Sequence, residues 1–102
     1  MIDRYKLREL FQEVFKYSFV GFLYLSFDDV WNLDSNCIVL RDLDNDKHPE
    51  EQSPDGLEYV MGIDTLTMII ENAKEQKQGL SDEEVLEAFL FYFDNSAYIK
   101  FS

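Results

Sequence analysis

Residues 80–101 set the strongest limit on how this chain can fold, because a well-specified helix start precedes an uncharged run. Ser81 and Glu84 have the spacing of a capping box, in which each side chain accepts a hydrogen bond from the backbone N–H of the other residue. Residues 88–93 then carry no charge, and a helix that is apolar on every side is usually buried on more than one side. The stretch therefore predicts a core helix, and residues 97–101 (AYIKF) predict a strand that follows it.

Hydrophobic periodicity places the other elements. Residues 5–18 and the stretch from Asp64 to Gly79 carry apolar side chains at helical spacing, with Asp3 and Asp64 as the expected N-caps. Three short runs of β-branched and aromatic residues predict strands at 19–26, 37–40 and 57–63. The predicted order is α-β-β-β-α-α-β. It corresponds to a single α+β domain over residues 1–102, in which about three helices pack on a small, mainly antiparallel sheet.

The composition is that of a folded domain. A chain of 102 residues with 46% hydrophobic and 16% aromatic content can bury one core of ordinary size. Its single cysteine, Cys37, excludes an internal disulfide framework. No apolar run approaches the ~18 residues of a membrane span, and the N-terminal residues MIDRYKLREL lack an apolar signal core. We therefore expect a cytoplasmic protein that makes no membrane contact.

Acidic charge is the strongest global signal. The chain has 9 basic and 21 acidic residues, a net charge of −12, and a chain this acidic repels nucleic acid and anionic lipid. Residues 28–64 hold eleven acids and two bases, a net charge of −9. Such a concentrated acidic patch fits docking on a cationic protein surface, and the alternative is a solvated segment that only keeps the protein soluble. The predicted partner-binding residues are Asp28, Asp29, Trp31, Asp34, Asp42, Asp44, Asp46, Glu50, Glu51, Asp55 and Glu58.

The motifs do not support catalysis. The chain has one histidine and one cysteine, eleven residues apart, and no nucleophile elbow, phosphate loop, dinucleotide turn or zinc signature. His48 lies in a polar, acidic segment and is expected to be solvated. Cys37 precedes apolar residues and is expected to be a buried, inert thiol. We therefore predict a protein that is not an enzyme and that uses no cofactor.

The acidic segment between the second and third predicted strands matches a calcium loop only in part. Asp42, Asp44 and Asp46 occupy positions 1, 3 and 5 of an EF-hand loop. Lys47 stands where such a loop needs glycine, and Ser53 stands where it needs a bidentate glutamate. No metal site is predicted, and the segment is expected to be an exposed loop.

Three stretches carry a resemblance to a known group of proteins. They are WNLD at residues 31–34, GLEYVMGI at residues 56–63 and EAFLFYFDN at residues 87–95. Together they resemble a group of small acidic bacterial proteins, some of which are similar to immunity proteins of contact-dependent growth inhibition, the CdiI class. The resemblance implies a protein that binds and blocks a cognate toxin domain, often a nuclease with a cationic active site. It transfers no individual contact residue, because the interface is the variable part of such proteins.

Other functions stay open at this point. An acidic adaptor, or a nucleic-acid-mimicking regulator of another cytoplasmic protein, would have the same composition. A small enzyme that uses carboxylates would need acids from separate elements to converge in a pocket. The oligomeric state is also open, because the aromatic residues near 89–101 can exceed what one small core hides. They would then leave a patch for a partner or for self-association.

Overall fold

Residues 2–17, 21–41 and 48–101 are described by a computed structural model of the chain. They form an α+β fold in the order β-α-β-β-β-α-α, which confirms the predicted fold class. The strands are β1 (Ile2–Lys6), β2 (Phe22–Leu25), β3 (Asn36–Leu40) and β4 (Glu58–Gly62). The helices are α1 (Leu7–Glu13), α2 (Ile63–Gln76) and α3 (Asp82–Asn95), and 3-10 turns form at Val14–Tyr17, Pro49–Glu51 and Pro54–Gly56.

The four strands of the described residues form one antiparallel sheet in the order β1-β3-β2-β4. Val39 in β3 lies opposite Asp3 of β1 and Leu23 of β2. Because side chains alternate between the two faces of a strand, Leu23 and Val39 point toward the helices, while Tyr24 and Ile38 point to the other face. Both faces of the sheet are therefore apolar, and both need a cover.

The helices cover one face and build the main core with it. Their buried contributions include Leu7, Leu10, Phe11, Leu66, Ile69, Ile70, Ala73, Val85, Ala88 and Phe89. The Phe89 side chain is 0% exposed, and its ring centre lies 5.8 Å from that of Phe11. The predicted capping box is confirmed, since the Glu84 N–H donates to Ser81 Oγ (3.2 Å) and the Ser81 N–H donates to Glu84 Oε1 (3.1 Å).

The described part of the β3–β4 connection, which begins at residue 48, packs on the other face of the sheet. Tyr24, Ile38 and Leu40 form a second apolar cluster there, to which Leu57 and Tyr59 add their side chains. The buried Tyr24 hydroxyl donates to the Pro49 carbonyl oxygen (2.6 Å), and burial raises the pKa of Tyr24 to about 12. The sequence predicts this segment as an exposed loop, and the structure shows that its described part is also attached to the sheet.

The start of the chain is a strand, so the prediction of a helix from residue 5 with Asp3 as its cap is wrong. Asp3 lies inside β1, and Lys6 is the N-cap of α1, where its N–H donates to the Glu9 carboxylate (2.8 Å). The basic and acidic residues of this stretch tolerate a helix locally. Pairing with β3 instead gives one edge of β1 backbone hydrogen-bond partners, and this non-local contact decides the structure.

The end of the chain is irregular, so the predicted strand at residues 97–101 is wrong. The backbone there bonds to a side chain of α2, since Gln76 Nε2 donates to the Ile99 carbonyl (2.8 Å) and the Phe101 N–H donates to Gln76 Oε1 (3.0 Å). The N-cap of α2 is Gly62, and the predicted cap Asp64 lies in the first turn of that helix.

Phe89→Ala should lower the free energy of unfolding by about 3–5 kcal/mol, because it leaves a cavity among fully buried side chains. Phe91→Ala should lower it by about 1 kcal/mol, because Phe91 is 37% exposed and the expectation that it is buried is wrong. Residues two positions apart in an α-helix are rotated by roughly 200° about its axis, so the Phe89 and Phe91 rings face opposite sides of α3. Urea unfolding measures both variants, and equal losses would contradict this placement.

Asp3 anchors a polar cluster where β1 meets the turn that follows α1. Its carboxylate accepts hydrogen bonds from the Tyr17 hydroxyl (2.9 Å) and from Arg41 Nε (2.9 Å). Burial alone would raise the pKa of the Asp3 carboxyl, but the Tyr17 hydroxyl and the Arg41 guanidinium outweigh burial and lower that pKa. Burial and the neighbouring oxygens raise the pKa of Tyr17 in turn.

Asp3→Asn should destabilise the protein most at neutral pH. Because the pKa of Asp3 is lower in the folded chain, the ionised carboxylate stabilises the fold above its unfolded pKa of about 3.9. That contribution disappears as the pH falls through the lower folded value. Urea unfolding of variant and wild type between about pH 7 and about pH 2 should show a difference in unfolding free energy that closes in acid. A constant difference would contradict the role of the ionised form.

Candidate protein-docking surface

The loop between β2 and β3 is held by Trp31, the only tryptophan of the chain. Its indole Nε1–H donates to the Ser26 carbonyl oxygen (2.6 Å). Its ring centre lies 5.8 Å from that of Phe89 and 4.7 Å from that of Phe93. Trp31 therefore joins the loop to α3 at the edge of the core.

An apolar depression opens where this loop meets the C-terminal half of α3. It has a volume of about 280 Å³, and its apolar lining is Phe27, Val30, Trp31, Leu90 and Phe93. Several of these side chains are strongly exposed: Val30 is 89%, Phe27 48% and Phe93 40% exposed. Contiguous exposed apolar side chains of this kind are typical of interaction sites.

A second depression of about 360 Å³ lies on the next part of the α3 surface. Its apolar lining is Leu86, Leu90, Phe91 and Ile99. The two depressions share Leu90 and Asp94, so they form one continuous surface, which we call the docking face. The acids that line it are Asp29, Glu83, Glu87 and Asp94. None of the described residues lining either depression is basic.

Three of the predicted partner-binding residues lie at the docking face. Asp29 and Trp31 line it, and the exposed Asp28 is the neighbour of Asp29 in the same loop. The carboxylates of Asp28 and Asp29 therefore lie near the aromatic residues of the first depression, which combines apolar contact area with negative charge.

The other predicted partner-binding residues do not converge on this surface. Asp34 pairs with Arg8 (2.8 Å) and Asp55 pairs with Arg4 (2.8 Å), so part of the acidic charge is balanced within the chain. Glu50 and Glu51 are exposed on the turn that packs against the opposite face of the sheet, and Glu58 is exposed at the start of β4. Asp42, Asp44 and Asp46 lie outside the described residues.

The predicted contact residues include none from the C-terminal half of α3, although the aromatic excess near 89–101 predicts an exposed patch there. Leu90, Phe91 and Phe93 of that helix are three of the eight apolar residues that line the docking face. Two features of the sequence point to this half of α3. The uncharged run at 88–93 contains more apolar side chains than one buried helix face accommodates, and the aromatic excess near 89–101 predicts an exposed patch.

The single cysteine and the single histidine lie in different surroundings. Burial raises the pKa of the Cys37 thiol to about 12, and His48 is exposed at the start of the Pro49–Glu51 turn. Within residues 2–17, 21–41 and 48–101, no group of three or more His, Cys, Asp or Glu side chains is placed to hold a metal ion.

A larger depression of about 420 Å³ lies between α1 and the α2–α3 turn, away from the docking face. Its polar side chains are engaged in holding the helices together. Lys77 pairs with Glu84, Gln12 donates to Asp82 (3.2 Å), and the Lys74 ammonium lies 5.1 Å from the centre of the Phe15 ring. These contacts link the elements that surround the depression.

Comparison with known proteins places the chain in a family. Residues 4–101 match a family described as a domain of unknown function, DUF7716. The chain belongs to the DUF7716 family. No curated protein and no solved structure matches this DUF7716 chain significantly. The matched range contains every described residue of the docking face, so that surface is part of the DUF7716 domain itself.

A helix that crosses a bilayer needs about 20 predominantly apolar residues. In the part of the chain that the structure describes, none of the helices combines the length and the apolar content needed to cross a membrane.

The Cys37 thiol of the DUF7716 domain should resist thiol reagents in the native state. Its side chain is buried in the sheet, and its raised pKa leaves almost no thiolate near neutral pH. Titration with a chromogenic disulfide should give slow labelling of the native protein and rapid labelling in urea. Rapid labelling without urea would contradict the assignment of Cys37 as a structural residue.

Proposed function

We propose that this protein works by binding a cationic partner protein through the docking face, and that it acts as an immunity protein that blocks a cognate bacterial toxin domain. The observation that carries the proposal is the exposed apolar surface of α3 and the β2–β3 loop, lined with acids. The apolar side chains supply contact area, and the carboxylates select a partner of opposite charge.

The charge of the whole chain supports a cationic partner. At a net charge of −12, the protein attracts a basic surface over about a Debye length, which speeds association at low salt. The rings of Phe27 and Phe93 then provide the short-range contacts that slow dissociation. Neither step requires a catalytic group on this chain.

The choice of a toxin as partner rests on the resemblance to immunity proteins, and charge is consistent with it. A nuclease active site binds phosphate groups with basic side chains, so an acidic surface can occupy it in place of the substrate. An acidic adaptor would use the same surface on a different cationic protein, and the experiment separates the two.

The experiment is co-expression with the toxin domain encoded beside this gene, followed by purification and a toxin activity assay. We expect a stable complex, loss of toxin activity in vitro and survival of cells that make the toxin. Absence of both the complex and the protection would overturn the immunity role.

Charge reversal should locate the interface. Asp28→Lys with Asp29→Lys should slow association several-fold at low salt and flatten its salt dependence, because these acids border the docking face. The matched control is Glu71→Lys with Glu75→Lys, which changes the net charge equally on an exposed part of α2. Stopped-flow measurements of the complex at several salt concentrations give the rates.

A third pair, Glu50→Lys with Glu51→Lys, tests the acidic segment that the sequence favours. A slower association for this pair than for Asp28→Lys with Asp29→Lys would move the interface to the opposite face of the sheet. Equal effects of all three pairs would mean that net charge alone acts, and would contradict the proposed docking face.

A further inference from the structure

One flank of α3, beside its buried face, carries an apolar stripe at the spacing used by paired helices. Leu86, Leu90 and Phe93 are separated by four and three residues, which is the d-a-d pattern of a heptad. The inner side of the same helix is occupied by the core residues Ala88 and Phe89. The stripe borders this buried face: Leu86 and Leu90 are half-buried and pack against the main core, and Phe93 is exposed.

The two borders of the stripe differ. Glu87 and Asp94 occupy the heptad positions that flank one side of a helix pair, and both line the second depression. On the other side, the aromatic loop stands as a wall, with the rings of Phe27 and Trp31 against Phe93. The result is a shallow groove with an apolar floor, one aromatic border and one acidic border.

We propose that this groove receives an amphipathic α-helix of the partner protein, with apolar residues at heptad spacing against Leu86, Leu90 and Phe93 and with Lys or Arg beside Glu87 and Asp94. The inference rests on the proposed function, because it names the part of the cationic partner that docks. It adds the secondary structure, the residue spacing and the charge pattern of that part.

A helix fits this surface better than an extended peptide does. The described lining consists of side chains from a helix, a loop and the C-terminal segment, and no sheet edge runs along it. Strand addition needs a row of open backbone N–H and C=O groups, whereas helix docking needs apolar anchors one turn apart. A second copy of this chain would place the same acids opposite one another, which disfavours self-pairing.

The test uses a designed helix of about 18 residues, with Leu at the a and d positions and Lys elsewhere, which is five turns long. Binding is followed by the fluorescence of Trp31, which lies in the aromatic border. A peptide of the same composition in scrambled order keeps the charge and loses the apolar face. We expect the designed helix to bind at least about tenfold more tightly than the scrambled peptide.

Two pairs of matched variants locate the bound helix. Leu90→Glu should weaken binding about tenfold relative to Met68→Glu, which adds the same charge at an exposed site of α2. Glu87→Lys with Asp94→Lys, at exposed positions that tolerate substitution, should weaken binding more than the control Glu71→Lys with Glu75→Lys. Circular dichroism establishes that each variant is folded.

Equal binding of the designed and scrambled peptides, or equal losses in test and control variants, would overturn the inference. So would light scattering that shows a dimer broken by Glu87→Lys with Asp94→Lys, since a second copy would then occupy the groove. If the designed helix binds as expected and the toxin is not neutralised, the proposed function fails alone. If the toxin is neutralised equally well by the Leu90→Glu variant, the helix-docking inference fails alone.

Discussion

The contact between Phe89 and Trp31 connects the core of this protein to its docking face. On its inner side the Phe89 ring packs against Phe11 of α1 and closes the core over the sheet. Towards the loop it packs against Trp31, which carries the aromatic wall of the docking face. The stability of the core and the shape of the surface therefore depend on the same ring. A change that loosens Phe89 would also release the loop that borders the groove.

The distribution of charge follows from the way the first strand and helix are placed. Arg4, Arg8 and Arg41 each bond to an aspartate of the same chain, at Asp55, Asp34 and Asp3. The exposed pairs Arg4–Asp55 and Arg8–Asp34 contribute little to stability, whereas the Arg41–Asp3 pair is partly buried. Their main effect is on the electrostatic potential of the surface, because they neutralise acids around the sheet. By contrast, no described residue that lines the docking face is basic.

The sheet explains why the acidic connection is long. It leaves β3 at one end of the sheet and enters β4 at the other, so its chain must cross the face that carries Tyr24 and Ile38. Leu57 and the Pro49 carbonyl supply the apolar and polar contacts of that crossing. Glu50 and Glu51 are then held on the opposite side of the sheet from the helices. One continuous acidic segment in the sequence becomes two separated surfaces in the fold.

The sequence alone determined the features that depend on neighbouring residues. The capping box of Ser81 and Glu84 and the apolar stripe of α2 follow from local spacing and composition. The α+β class follows as well, because three of the four predicted strands are consecutive and do not alternate with helices.

Only the tertiary structure decided what depends on distant partners. β1 forms because β3 offers a ladder, while residues 97–101 remain irregular because Gln76 satisfies part of their backbone. The uncharged run of α3 has no polar side from which to tell its buried rings from its exposed ones. Phe89 is buried because it packs against α1 and the loop, whereas Phe91 and Phe93 remain at the surface. Their exposure forms part of the docking face.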